Sequence, residues 1–272
     1  MDFGIIGFLL SYVVGMYLTA WIHEAGHVLF GWFAGKKFRA FYVWPLLSFV
    51  DKGEVKLRFS FRSKLGTFGW TYMDSVKPEF SYREEILYYS GGIIANVVSG
   101  LLFAIIGLSL QWYSDIRAGC LSFIPYSLIS VGCFSFAPAI AAGYPYKGKS
   151  VMSCDGLAVQ RLLNGKKHQM AEPIAVDKLA KHSSGRFELG DTERHEYIEQ
   201  LLDSPDVYYK RVGYGNLIEF YLDRGDEVKV EEVQSKIEEL SFCDDDFKKF
   251  IEAIIVNHGK TPLEYLTGKA KG

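Results

Sequence analysis

Three long stretches of the chain lack the polar breaks of a soluble protein. Residues 3–35 carry one formal charge, Glu24, and residues 86–114 and 118–146 carry none. About 20 apolar residues suffice for a helix to cross a bilayer. The pattern therefore predicts three transmembrane helices, at roughly 5–33, 86–110 and 118–141. The first run has no basic leader and is too long for the apolar part of a signal peptide, so it reads as a span. Between the first two runs the period changes. In EVKLRFSFRS, Val55, Leu57, Phe59 and Phe61 alternate with Lys56, Arg58, Ser60 and Arg62, the signature of a half-buried strand. FRAFYVWPLLSF is its expected partner, with Pro45 confining it to an edge or a bend.

Beyond residue 156 the composition is that of a soluble protein. ERHEYIEQLLD, PDVYYKRVGYGNLIEFYLD, VEEVQSKIEEL and DFKKFIEAIIVNH repeat apolar residues at three-and-four spacing, which predicts paired helices. Ser204–Pro205, Gly225, Gly259 and Thr261–Pro262 supply the breaks, and the run Asp244–Asp245–Asp246 reads as a helix amino terminus. Residues 166–192 are polar and read as a linker to a soluble helical tail over 193–272. The expected fold class is a polytopic α-helical membrane protein. It has a three-helix core in 1–165, a small membrane-associated β-sheet in the insertion 36–84, and a soluble C-terminal helical region.

Charge orients this arrangement. The chain of 272 residues is 49% hydrophobic with a net charge of -2, which gives no reason to expect nucleic acid as a partner. Residues 1–150 hold 13 Lys/Arg against 9 Asp/Glu, whereas 151–272 hold 17 against 23. Ten of the basic residues lie between the first two runs, among them Lys36, Lys37, Arg39, Lys52, Arg58 and Lys64. The positive-inside rule then puts the amino terminus outside and both the 36–84 insertion and the C-terminal region in the cytoplasm. The insertion is expected to cover the membrane-facing site or to offer an edge to an extended substrate. Cys120, Cys133, Cys154 and Cys243 have no paired spacing, so neither a disulfide framework nor a zinc ribbon is expected.

Within the first apolar run stands HEAGH, residues 23–27. On a helix, His23 and His27 leave the same face one turn apart and can share one Zn²⁺. Glu24 then stands beside the metal as a base for water, and Gly26 leaves room for a close approach. The bland alternative is an exposed polar face of a soluble helix. In an otherwise uncharged span, an ionisable group costs at least about 2.5 kcal/mol unless it is used or paired, which favours the metal. A catalytic zinc needs a third protein ligand. His168, His182, His195 and His258 all fall in the polar region and read as surface residues. Asp155, in SCDGLAVQRLL just after the third run, is the better-placed candidate; its bland alternative is a helix cap.

The chain thereby resembles the site-2 protease family of intramembrane zinc metalloproteases, over about residues 1–165. HEAGH matches the family's zinc motif, implying His23 and His27 as ligands and Glu24 as catalytic base. GGIIAN at 91–96 resembles its Gly-x-x-x-Asn pattern, with Gly92 and Asn96 at the matching positions; the resemblance implies that they engage substrate. SCDG at 153–156 resembles the Asp-Gly motif, implying Asp155 as third ligand. The family's Asn-x-x-Pro reads SFAP here, with Ser135 in place of the asparagine and Pro138 retained. The implied activity is a zinc endopeptidase of regulated intramembrane proteolysis. It would hydrolyse a peptide bond in a transmembrane or membrane-embedded substrate, with the bilayer as a further partner and the tail's partner unassigned. The alternative is a catalytically silent relative that acts as a membrane binding protein.

Overall fold

A computed structural model describes residues 3–51, 53–61, 69–77, 79–117, 123–144, 154–168, 171–183, 185, 187–256 and 258; of these, the side chains of 3–12, 51, 113–117, 123–127, 138 and 168 are not described. It divides into two compact units, and the division falls within one helix, between Gln160 and Arg161.

The first unit begins with helix α1 (Phe3–Phe33), which carries HEAGH in its C-terminal half. Gly35, at φ +73°, ends it; the left-handed backbone needed to turn out of a helix is cheapest for glycine. The chain enters a four-stranded antiparallel sheet of β1 (Lys36–Val43), β2 (Leu46–Asp51), β3 (Glu54–Phe59) and β4 (Gly69–Ser75), in the order β3-β2-β1-β4. Pro45 sits in the bend between β1 and β2, and Gly53, at φ +86°, turns β2 into β3. The register sets Phe49 opposite Lys56 and Leu47 opposite Arg58. Leu47 and Phe49 are therefore buried on one face, while Val55, Leu57 and Phe59 project from the other and are 64–70% exposed. The alternation of EVKLRFSFRS correctly marks a strand, but β3 is an exposed edge and not half-buried.

Helix α2 (Tyr82–Arg117) opens with Glu84 and Glu85, which complement its dipole. Glu85 pairs with Lys36, tying the start of α2 to β1. Two glycine contacts let the helices approach closely. A Cβ on Gly26 of α1 would lie 2.4 Å from the carbonyl oxygen of Gly91 of α2. One on Gly100 of α2 would lie 3.1 Å from the carbonyl oxygen of Gly132, in helix α3 (Phe123–Gly143). Helix α4 (Asp155–His168) then begins directly against the end of α3: a Cβ on Gly156 would lie 2.0 Å from the Gly143 carbonyl oxygen. The Cys154 thiol donates to the Tyr144 carbonyl at 3.2 Å, so the chain returns to the end of α3 after leaving it.

These helices do not make the expected three-span membrane core. Among the described residues one helix, Tyr82–Trp112, is long and apolar enough to cross a membrane. Within α3, the apolar stretch found among the described residues is the shorter Leu128–Gly143. In α1 the described part holds His23, Glu24 and His27 within one and a half turns, which lowers its hydropathy. The polytopic fold class and the multi-pass topology are thereby corrected to a mainly helical protein with one candidate membrane helix and a small sheet.

The second unit is helical. The stretch read as a linker carries helix α5 (Glu172–Ser183), with Ala175 and Leu179 buried in the core. Its polar composition hid two apolar positions one turn apart. Helices α6 (Asp191–Leu202), α7 (Val207–Asp223), α8 (Glu227–Glu238) and α9 (Asp245–Val256) follow. Ile198, Leu201, Ile218, Ile237 and Phe247 form the centre of their shared core. Asp206 caps α7 by accepting from the Tyr208 amide, and Asp244 accepts from the Phe247 amide at the start of α9. Gly259 and Thr261–Pro262 lie outside the described residues. Cys133, Cys154 and Cys243 form no disulfide among the described residues, and Cys120 lies outside them.

Candidate metal centre

Two helix faces meet at HEAGH. On α1, His23 and His27 are one turn apart; on α2, Tyr88, Gly92 and Asn96 follow one another at the same four-residue interval and also share a face. The close crossing at Gly26 and Gly91 brings these faces together. His27 Nδ1 lies 2.9 Å from the Tyr88 carbonyl oxygen. A carbonyl only accepts, so Nδ1 carries the proton and Nε2 keeps its lone pair in the neutral ring. His23 Nδ1 lies 3.2 Å from the Asn96 side-chain amide.

The start of α4 adds the carboxylate. Asp155 Oδ2 lies 2.9 Å from His23 Nε2 and 3.2 Å from His27 Nε2, and the two Nε2 atoms are 3.3 Å apart. Burial pushes the Asp155 carboxyl up, but the hydrogen bonds and charges of His23 and His27 outweigh this and hold it at about 2. Asp155 is thus the first residue of α4, as the capping alternative requires, while its carboxylate bridges the two imidazoles.

These three atoms fit a metal. Tetrahedral zinc with ligands at about 2.0–2.1 Å sets neighbouring ligand atoms about 3.3–3.4 Å apart. The observed separations of 2.9, 3.2 and 3.3 Å match that spacing after slight opening. Among the described residues His23, His27 and Asp155 form a group able to hold a metal ion. Two imidazoles and one carboxylate suit zinc, and three protein ligands leave a position open.

Gly92 faces this space. A Cβ there would come within 2.6 Å of both His23 Nε2 and His27 Nε2. The family resemblance implies a part for Gly92 in engaging substrate; the structure sets it against the two Nε2 atoms. Gly92→Ala should therefore weaken zinc binding roughly tenfold to a hundredfold, for a crowding cost of about 1–3 kcal/mol. Zinc titration of that variant against a chromophoric chelator checks this; undiminished affinity would show that the helices part easily.

Glu24 is buried beside the triad and feels the charges of His23, His27 and Asp155. Strand β4 holds it. The Thr71 hydroxyl lies 2.7 Å from Glu24 Oε2, to which it donates, and 3.2 Å from the Glu24 carbonyl oxygen. The Tyr88 hydroxyl donates to the Thr71 carbonyl at 2.8 Å, so one tyrosine steadies both the base and a ligand. A Cβ on Gly69 would lie 2.8 Å from Glu24 Oε1. Thr71 and Tyr88 were not found from sequence. Tyr88 precedes Gly92 by one turn, but a backbone carbonyl leaves no side-chain signature, and Thr71 belongs to no motif. Ser135, at the place of the family's asparagine, is fully buried and donates to the Val131 carbonyl of its own helix at 3.1 Å. It is thus engaged one turn back along α3.

Comparison of the chain with protein-family models, with curated proteins and with solved structures returns no match.

Proposed function

We propose that the chain is a zinc endopeptidase that hydrolyses a peptide bond in a membrane-embedded substrate, as its resemblance to the site-2 protease family implies. The observation that carries this reading is the spacing of the three ligand atoms, with Glu24 adjoining the first of them. Glu24 and the metal triad are together what an amide hydrolase requires. A zinc ion held by His23, His27 and Asp155 would supply Lewis acidity toward the scissile carbonyl and toward water.

The chain's own residues do the rest. Thr71 holds Glu24 Oε2 and leaves Oε1 beside Gly69, where a Cβ would crowd it. Glu24 accepts a proton from the attacking water and passes it to the departing amine. The Tyr88 carbonyl holds the His27 ring so that Nε2 faces the metal position.

The membrane part of the reading rests on α2. Its apolar segment Tyr82–Trp112 is preceded by the basic stretch 36–81, so we place that end of α2 on the cytoplasmic side. Tyr88 and Gly92 lie in its first turns, which sets the metal centre near that face. A helical substrate must unwind there, because its amide carbonyls are otherwise engaged in its own hydrogen bonds.

The test is the metal content of the purified full chain together with cleavage of a membrane-spanning reporter. About one zinc per chain, with cleavage that a chelator abolishes and zinc restores, is the expected result. A chain that binds zinc but cleaves no membrane-embedded reporter would be a binding protein instead.

A further inference from the structure

The two imidazoles are held differently at their far nitrogens. His27 Nδ1 donates to a backbone carbonyl, an acceptor that cannot be anything else. His23 Nδ1 meets the side-chain amide of Asn96, which can present either a donor or an acceptor. Asn96 directs Nδ2 toward His23 Nδ1, while Oδ1 is buried and has no hydrogen-bond partner among the described residues. Asn96 itself is wholly buried within the apolar α2. A buried amide left half satisfied is costly, and a leucine of similar shape would avoid that cost. Its side-chain contact with His23 supplies an explanation.

We propose that Asn96 is a positioning residue that sets the tautomer of His23. With the amide turned over, Oδ1 accepts from His23 Nδ1–H, and Nε2 carries the lone pair that a metal needs. The turn exchanges two groups of nearly equal size within one envelope, so the buried site accommodates both orientations. His23 Nε2, the ring's other nitrogen, lies 2.9 Å from Asp155 Oδ2. Tyr88, Gly92 and Asn96 then form one working face of α2: an acceptor for His27, an opening before both Nε2 atoms, and an acceptor for His23.

This assignment rests on the metal-centre reading and differs from the substrate-engaging role that the resemblance implies for Asn96. The test compares zinc affinity of the full chain, by chelator competition, for the wild type, Asn96→Leu and Asn96→Asp. Asn96→Leu removes the acceptor and should weaken zinc binding about 10–100-fold, the usual effect of losing such a partner. Asn96→Asp keeps an oxygen acceptor and should stay within 10-fold of the wild type. Nitrogen-15 shifts of the zinc-loaded wild type should show His23 protonated at Nδ1. Wild-type zinc binding with equal affinity in Asn96→Leu, and only a raised KM for peptide, would overturn the assignment and leave the metal centre standing. A wild-type chain that takes up no zinc overturns both. Where Asn96→Leu fails to fold, Asn96→Asp decides: a loss beyond 10-fold in a folded protein overturns the assignment.

Discussion

Glu24→Gln should keep its zinc and lose its peptidase activity. The substitution preserves volume, and the ligand atoms of His23, His27 and Asp155 are untouched, so metal content should stay near that of the wild type. The Thr71 hydroxyl can still donate to the amide oxygen at position 24, so the side chain keeps its anchor. What disappears is a group able to take a proton from water. General base catalysis contributes about 10²–10⁴-fold, and here the same group must also protonate the leaving amine. Cleavage of a membrane-spanning reporter should accordingly fall by at least that range. Metal analysis and reporter cleavage on one preparation check both halves. A zinc-loaded variant with normal turnover would remove Glu24 from the mechanism.

How legible this site was in the sequence depends on which part of each residue acts. His23, Glu24 and His27 were visible because a helical period of four and a catalytic need for adjacent groups leave a compact trace in one pentapeptide. Asp155 lies 132 residues from His23. Its trace was a common Asp-Gly pair, and the approach of Gly156 to Gly143 at the end of α3 brings it to the imidazoles. Asn96 and Gly92 were found by pattern, and the register of α2 on α1 sets them against the imidazoles. That register is set by the close approach at Gly26 and Gly91, which no single-helix pattern encodes. Thr71 and the Tyr88 carbonyl act through tertiary contact alone.

The fold was legible to the same degree. Helix and strand existence followed from period, because 3.6 and 2 leave distinct traces over ten or more residues. Burial did not. Leu57 and Phe59 alternate like core residues, yet β3 is the sheet's edge and they face outward. The uncharged runs likewise foretold apolar helices but not how many could cross a membrane. The polar triplet in α1 bears on that, and one candidate is found among the described residues.

Asp155→Ala should release the metal altogether. The variant leaves two imidazoles, and the remaining positions around a zinc ion would fall to water. Loss of a mere supporting partner costs 10–100-fold in affinity; loss of a ligand should exceed this, and cleavage should vanish with the metal. The competing reading is that Asp155 serves the helix it begins. A negative charge in the first turn is worth about 0.3–1 kcal/mol to that helix, and a carboxylate acting as a cap about 0.5–2 kcal/mol. Either role would lower the melting temperature without touching metal affinity in the folded fraction. Asp155→Asn separates the roles further. The amide keeps the shape and one oxygen, so a group needed only to hydrogen-bond His23 and His27 would survive the change with little loss. A ligand would not, because a neutral amide oxygen is a far weaker partner for zinc than a carboxylate, and the site would lose its only negative ligand. Zinc affinity should therefore fall in both variants while helix content by circular dichroism stays close to that of the wild type. A folded Asp155→Asn protein with wild-type zinc affinity would show that the carboxylate orients the imidazoles and does not bind the metal.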